Sequence, residues 1–255
     1  MILPKRIKVL LGVITVLFVF YFIRDWFVFY QCGAVEQCLA DSSYVQHYTK
    51  FATTVLIAIL AIAIGKDCLG KRDHRLLLTA MGAAFLADIC FKLLHNAKSL
   101  AQFSVEFMLM GVCFFIVFQS ILIYRFTRKN ETDDSIPWII LVPFASVLVL
   151  FDLRLLGVFE TGLVPTIIVY GTFLTCALFE GLRVSRYGYF PQKNASLIRL
   201  GMILFYLGDV CVGFSLATGD DHSTQEVVAT VANNLVWFFY VPALLMLVLS
   251  GIRKK

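Results

Sequence analysis

The sequence predicts an all-α, polytopic bundle of about eight transmembrane helices, forming a single membrane domain across residues 1–255. Three observations predict it. The chain is 60% hydrophobic and only 15% charged, whereas a soluble domain is about 45–50% apolar and about 25% charged. Apolar runs of about 17–25 residues, long enough to cross a bilayer as helices, recur along its length. The Lys and Arg residues sit in short clusters between those runs, which excludes the gathered basic face that nucleic-acid binding needs despite a net charge of +5. None of the runs shows the period-two alternation of barrel strands.

The first run, Val9 to Tyr30, follows Lys5, Arg6 and Lys8. It resembles a signal peptide, but no small-residue cleavage site follows it, so it is expected to remain as a helix. The second, Tyr48 to Gly65, stops at Lys66, and the third, Leu76 to Leu94, begins after Lys71, Arg72 and Arg75. The fourth, Phe103 to Tyr124, ends against Arg125, Arg128 and Lys129; the fifth spans Pro137 to Leu156. The sixth, Leu163 to Leu182, ends at Arg183 and Arg186, and the seventh, Leu197 to Ala217, follows Lys193. The eighth, Val227 to Ile252, meets Arg253, Lys254 and Lys255. Pro143 and Pro242 are expected to kink their helices.

Cytoplasmic loops collect Lys and Arg. An eight-span model that begins inside puts 17 of the 22 basic residues on the inner side, leaving Arg24, Lys50, Lys92, Lys98 and Arg154 outside. Both termini are therefore expected in the cytoplasm of an integral membrane protein. Asn130-Glu-Thr and Asn194-Ala-Ser are glycosylation sequons, and this topology makes both silent. Cys32 and Cys38 fall in the loop between the first two spans, where a disulfide and two free thiols are both open readings. The other cysteines lack metal-ligand spacing, and no metal is expected.

The third and seventh spans echo one another. Phe85-Leu86-Ala87-Asp88-Ile89-Cys90 and Tyr206-Leu207-Gly208-Asp209-Val210-Cys211 share an aromatic, Leu, small, Asp, branched aliphatic, Cys pattern. The copies are four spans apart, so both cross in the same direction, the signature of a parallel four-plus-four repeat with its site between the halves. Chance convergence is the alternative. Each Asp is expected at similar depth, roughly 18 Å into its helix at 1.5 Å per residue.

A carboxyl in mid-span costs at least about 2.5–3.5 kcal/mol on insertion scales, which marks Asp88 and Asp209 as functional candidates. Lys92 and His95 follow Asp88 at helical spacing, on one face. Gln119, Asn233, Asn234 and Tyr240 are the other polar candidates for binding in the same region. The Arg24–Asp25 pair closes the first helix, and Glu106 lies near a helix end.

These residues resemble the YhhN family of lysoplasmalogenases, eight-span membrane hydrolases that cleave the vinyl ether bond of lysoplasmalogens. The likeness is carried by Gly82 to Leu94 with Asp88, by Gly111 and Phe115 of the next helix, and by Gly201 to Asp209 with its Gly-x-x-x-Phe spacing. Tyr240 in the last helix is also similar. Gln119 stands where the family usually has His, Ala87 where it has Gly, Ser215 where Asn is expected, and no Gln follows Tyr240. The resemblance implies hydrolysis of a lysophospholipid vinyl ether without a cofactor, with Asp88 and Asp209 as paired catalytic acids. Two buried carboxyls resist ionising together, and Lys92 beside Asp88 favours the charge there, which makes Asp88 the expected base and Asp209 the acid. The competing reading is a non-enzymatic binder or transporter in which the same carboxylates hold an ion or a lipid.

Overall fold

The computed structural model describes residues 4–32, 36–95, 102–130, 163–216 and 224–253. Seven helices among them are long and apolar enough to cross a membrane. They are α1 (Lys5–Cys32), α2 (Glu36–Ile64), α3 (Lys71–Asp88), α4 (Ser104–Thr127), α5 (Leu163–Arg183), α6 (Gln192–Leu216) and α7 (Thr224–Leu249). No strand occurs among the described residues; the only β pairing there is an isolated bridge between Cys68 and Ile252. Helices are the form that apolar surroundings impose, because no water is there to satisfy backbone groups left open. Hydroxyl side chains inside the spans follow the same rule. Thr53, Ser120, Thr172 and Thr175 each donate to the carbonyl four residues back.

The apolar runs locate these seven helices well and their ends less well. Helix α2 starts at Glu36, not Tyr48, because its first turns are polar yet helix-compatible. Cys38 consequently lies within a helix; its side chain, and with it the disulfide question, falls outside the described residues. Helix α3 starts at Lys71, five residues before the apolar run, with Gly70 extended in front of it and Asp73 in its first turn. After Asp88 the helix widens into a π-helix over Ile89–Leu94, where the His95 N–H reaches the Cys90 carbonyl at 2.9 Å. Helix α7 continues through Pro242, whose missing N–H leaves the Phe238 carbonyl without its usual donor.

Both ends of the described chain meet at one end of the bundle. Arg6 pairs with Asp67 at 2.7 Å, the Arg253 N–H donates to the Asp67 carbonyl at 2.8 Å, and the Leu69 N–H donates to the Gly251 carbonyl at 2.7 Å. Helix α4 also finishes there. Its Arg125, fully buried, grips Asp73 with two hydrogen bonds of 2.8 and 2.9 Å and reaches Ser250 Oγ at 3.0 Å. Phe190 lies 5.0 Å from the guanidinium carbon. Asn194 is buried alongside, its Nδ2 donating to the carbonyls of Ser250 and Ile252 at 2.7 and 2.8 Å.

The C-terminal part of α5 lies beside the end of α4, since a Cβ on Gly181 would sit 3.5 Å from the Phe126 ring. The two helices therefore run parallel, and the chain leaves α4 at one end of the bundle and enters α5 at the other. The expected span Pro137–Leu156 itself lies outside the described residues, as do Lys98 and Arg154.

Helices α6 and α7 approach closely at Gly201, where an added Cβ would stand 3.1 Å from Leu247 Cγ and 3.2 Å from the Ala243 carbonyl oxygen. Small residues permit such approach in membranes. Gly201→Val is expected to push the pair apart and destabilise the fold by about 1–3 kcal/mol, read as a lower melting temperature in detergent; unchanged melting would contradict the close packing.

Candidate active site

Asp88 and Asp209 each lie seventeen residues after the first residue of their helix, Lys71 and Gln192. At 1.5 Å per residue that is about 26 Å along the helix, deeper than the apolar runs alone indicate because both helices begin earlier. The two acids thus stand past the midpoint, towards the end of the bundle remote from the termini.

Asp88 is buried, and the Tyr240 hydroxyl from α7 donates to its Oδ2 at 3.0 Å. Thr54 from α2 supplies a second hydroxyl beside it, and the Lys92 ammonium lies within Coulombic reach. Asp209 is half-buried and accepts from the Tyr170 hydroxyl of α5 at 2.7 Å. Among the described residues no cation acts on it. The hydroxyl partners of the two carboxyls are neighbours, since Tyr240 is also in the electrostatic field of Tyr170 and Asp209. Phe115 of α4 packs between the two tyrosines, its ring centroid 6.1 Å from Tyr170 and 6.2 Å from Tyr240. The side chains of α2, α3, α4, α5, α6 and α7 therefore converge on one polar centre inside an aromatic wall.

The π-helix begins at the residue after Asp88. Such windings occur frequently at functional sites because they turn side chains out of α-helical register. Here Lys92 comes to lie over the Trp237 ring, 5.1 Å from its centroid. His95 makes its contact with the next helix. Its Nδ1 is 3.1 Å from the Ser104 carbonyl, an oxygen that can only accept, so that nitrogen carries the proton and the ring ties the end of the π-helix to the start of α4.

Gln119 is fully buried beside the Tyr170 hydroxyl, yet neither amide atom completes a hydrogen bond to protein. Asn234 is buried with its Nδ2 unpaired, whereas Asn233 on the neighbouring position is exposed. Glu106 is exposed at the start of α4. Asp25 pairs with Lys50 of α2 at 2.6 Å, across helices. Tyr170, Thr54 and Trp237 escaped sequence reading; a lone aromatic or Thr in an apolar span gives no sign of facing a carboxyl. Among the described residues no group of His, Cys, Asp and Glu is arranged to hold a metal ion.

A family model described as YhhN family matches residues 45–251. The chain belongs to the YhhN family. The matched part of this YhhN protein contains both acids, their tyrosines, Lys50, Lys92 and Trp237, while α1 with Arg24 and Asp25 precedes it. No curated protein and no solved structure matches the chain.

Proposed function

We propose that this YhhN protein is a membrane-embedded hydrolase of the vinyl ether bond in lysoplasmalogens, with Asp209 as general acid and Asp88 as general base. The observation that carries the reading is the unequal setting of the two buried acids, each held by a tyrosine that packs against Phe115. Asp88 has two hydroxyls and an ammonium nearby, the surroundings an anion needs, whereas Asp209 has one hydroxyl and, among the described residues, no cation. Groups with contrasting environments are how one site performs both acid and base steps.

The chemistry balances on these two groups. Asp209 delivers its proton to the alkene carbon remote from the ether oxygen, leaving an oxocarbenium ion at the other carbon. Asp88 takes a proton from water as its oxygen attacks that ion, forming a hemiacetal. The hemiacetal then collapses, with the proton on Asp88 passing to the ether oxygen as its C–O bond breaks and the hydroxyl proton returning to Asp209. A fatty aldehyde and a glycerophospho alcohol leave, and both acids regain their starting states. Tyr240 and Tyr170 orient the carboxyls through their hydrogen bonds, and the aromatic wall of Phe115, Phe205 and Phe118 limits water to what the reaction uses.

Purified protein incubated with a lysoplasmalogen is expected to release fatty aldehyde, measured by coupled dehydrogenase absorbance. Absence of aldehyde from folded protein, together with proton-coupled uptake in proteoliposomes, would replace this reading by a transporter using the same carboxylates.

A further inference from the structure

Two polar residues lie in the buried face of α4, Gln119 and Arg125. Arg125 is taken up by Asp73 and Ser250. Gln119 is enclosed just as completely, between Phe118 and Leu122, which are also fully buried, yet its amide completes no hydrogen bond through either atom. Buried amides are almost always paired, so an exception among apolar side chains calls for a reason. Packing does not supply one, because an apolar side chain of similar length fills the same space without leaving polar atoms unmet.

The reason lies in what the amide stands beside. The Tyr170 hydroxyl has one proton, and it donates that proton to Asp209 Oδ2 at 2.7 Å. Gln119 flanks the same hydroxyl, whose oxygen is still able to accept. Phe115, four residues earlier on α4, sets its ring 6.1 Å from that of Tyr170 and fixes the helix against the phenol. Asp209, Tyr170 and Gln119 thus stand in a line that begins at the acid and continues through neutral donors. When Asp209 gives up its proton, no cation among the described residues acts on the carboxylate left behind, and the Tyr170 hydroxyl is the donor at hand. A phenol that itself accepts an N–H is a stronger donor, since hydrogen bonds in a chain polarise one another.

We propose that Gln119 is a positioning residue for the acid: its amide N–H closes onto the Tyr170 oxygen as Asp209 loses its proton, and supports the new charge through that hydroxyl. The assignment rests on Asp209 as general acid of the proposed hydrolase. Tyr170 keeps its own proton throughout. A hydrogen bond unmade at rest and made as charge develops speeds the step, because only interactions stronger in the transition state than in the ground state lower the barrier. The neutrality of the amide matters as well. A lysine or arginine in its place would hold the carboxylate ionised at rest and leave the acid no proton to give, whereas an apolar residue would leave Tyr170 unassisted.

The test sets rate against stability. Gln119→Met is expected to lower kcat for aldehyde release about tenfold with KM unchanged, since the amide acts on the partner of the acid and not on the lipid. It is expected to melt at or above the wild-type temperature in detergent, because it removes unmet polar atoms from the interior. Gln119→Leu is measured beside it, so that the packing of one side chain does not decide the result. In a Tyr170→Phe protein, Gln119→Met is expected to change nothing further, the sign that the amide works through the hydroxyl. Unchanged kcat in both folded variants, full additivity with Tyr170→Phe, or a rate loss matched by lowered melting in both variants overturns the positioning role and leaves the hydrolase standing. A second readout does not depend on turnover. In the infrared difference between protonated and ionised Asp209, the carboxylate stretch, identified by its absence in Asp209→Asn, is expected to shift in Gln119→Met. Wild-type protein that releases no aldehyde overturns the hydrolase, while a shifted band keeps the line from Gln119 through Tyr170 to Asp209; an unshifted band overturns that line.

Discussion

Asp209→Asn is expected to reduce aldehyde release by at least about a hundredfold, and Asp88→Asn to do the same, since positioned acid–base groups contribute about 10²–10⁴ in rate. Asparagine keeps the size of the side chain and an oxygen that can accept from Tyr170 or Tyr240 at the observed 2.7 and 3.0 Å. It cannot donate an acidic proton or take one up. Both variants should therefore express and melt like wild type while losing turnover. A matched melting temperature separates chemistry from folding, and single-turnover measurement with excess enzyme separates the proton-transfer step from lipid delivery. Substantial turnover surviving in both variants would remove the acid and base roles.

The largest stability effect is expected at the opposite end of the bundle. Asp73→Ala leaves Arg125 buried with neither of its two carboxylate hydrogen bonds, and breaking a buried pair in this way costs about 3–5 kcal/mol. Both side chains are fully inaccessible, so water cannot take over. Ser250 Oγ and the Phe190 ring remain, but a hydroxyl and a ring face compensate one charge only in part. The variant should melt far below wild type in detergent or fail to accumulate. The double replacement Asp73→Leu with Arg125→Met should recover much of the loss, because apolar residues of similar volume need no partner. A single variant as stable as wild type would show that the pair does not hold α3, α4 and the end of α7 together.

The membrane class was legible because composition and run length are global properties that no local detail can reverse. The helix ends were not. Glu36 to His47 extends α2 through polar residues that any helix tolerates, and a search for apolar runs is blind to them. Asp88 and Asp209 stood out because charge in an apolar span is rare, and Tyr240 was within reach as a polar tip on a buried helix. Tyr170 and Trp237 were not, since an aromatic ring in such a span reads as packing until its neighbour is known. Lys50 was visible only as a basic residue on the wrong side; its partner Asp25 lies on another helix, a relation set by tertiary packing. The π-helix after Asp88 has no signature in the apolar pattern, and neither does the contact of His95 at its end with the Ser104 carbonyl.

Asn194 sits in a sequon, yet its side chain is wholly enclosed and both hydrogens of its amide are taken by the Ser250 and Ile252 carbonyls just past α7. An oligosaccharide transferase finds nothing to grasp there once the helices have packed, whichever compartment that end of the bundle faces. Its lack of sugar would say nothing about sidedness. Asn130, exposed just beyond α4, is the natural tag whose occupancy would disclose on which face of the bilayer the protein keeps its ends.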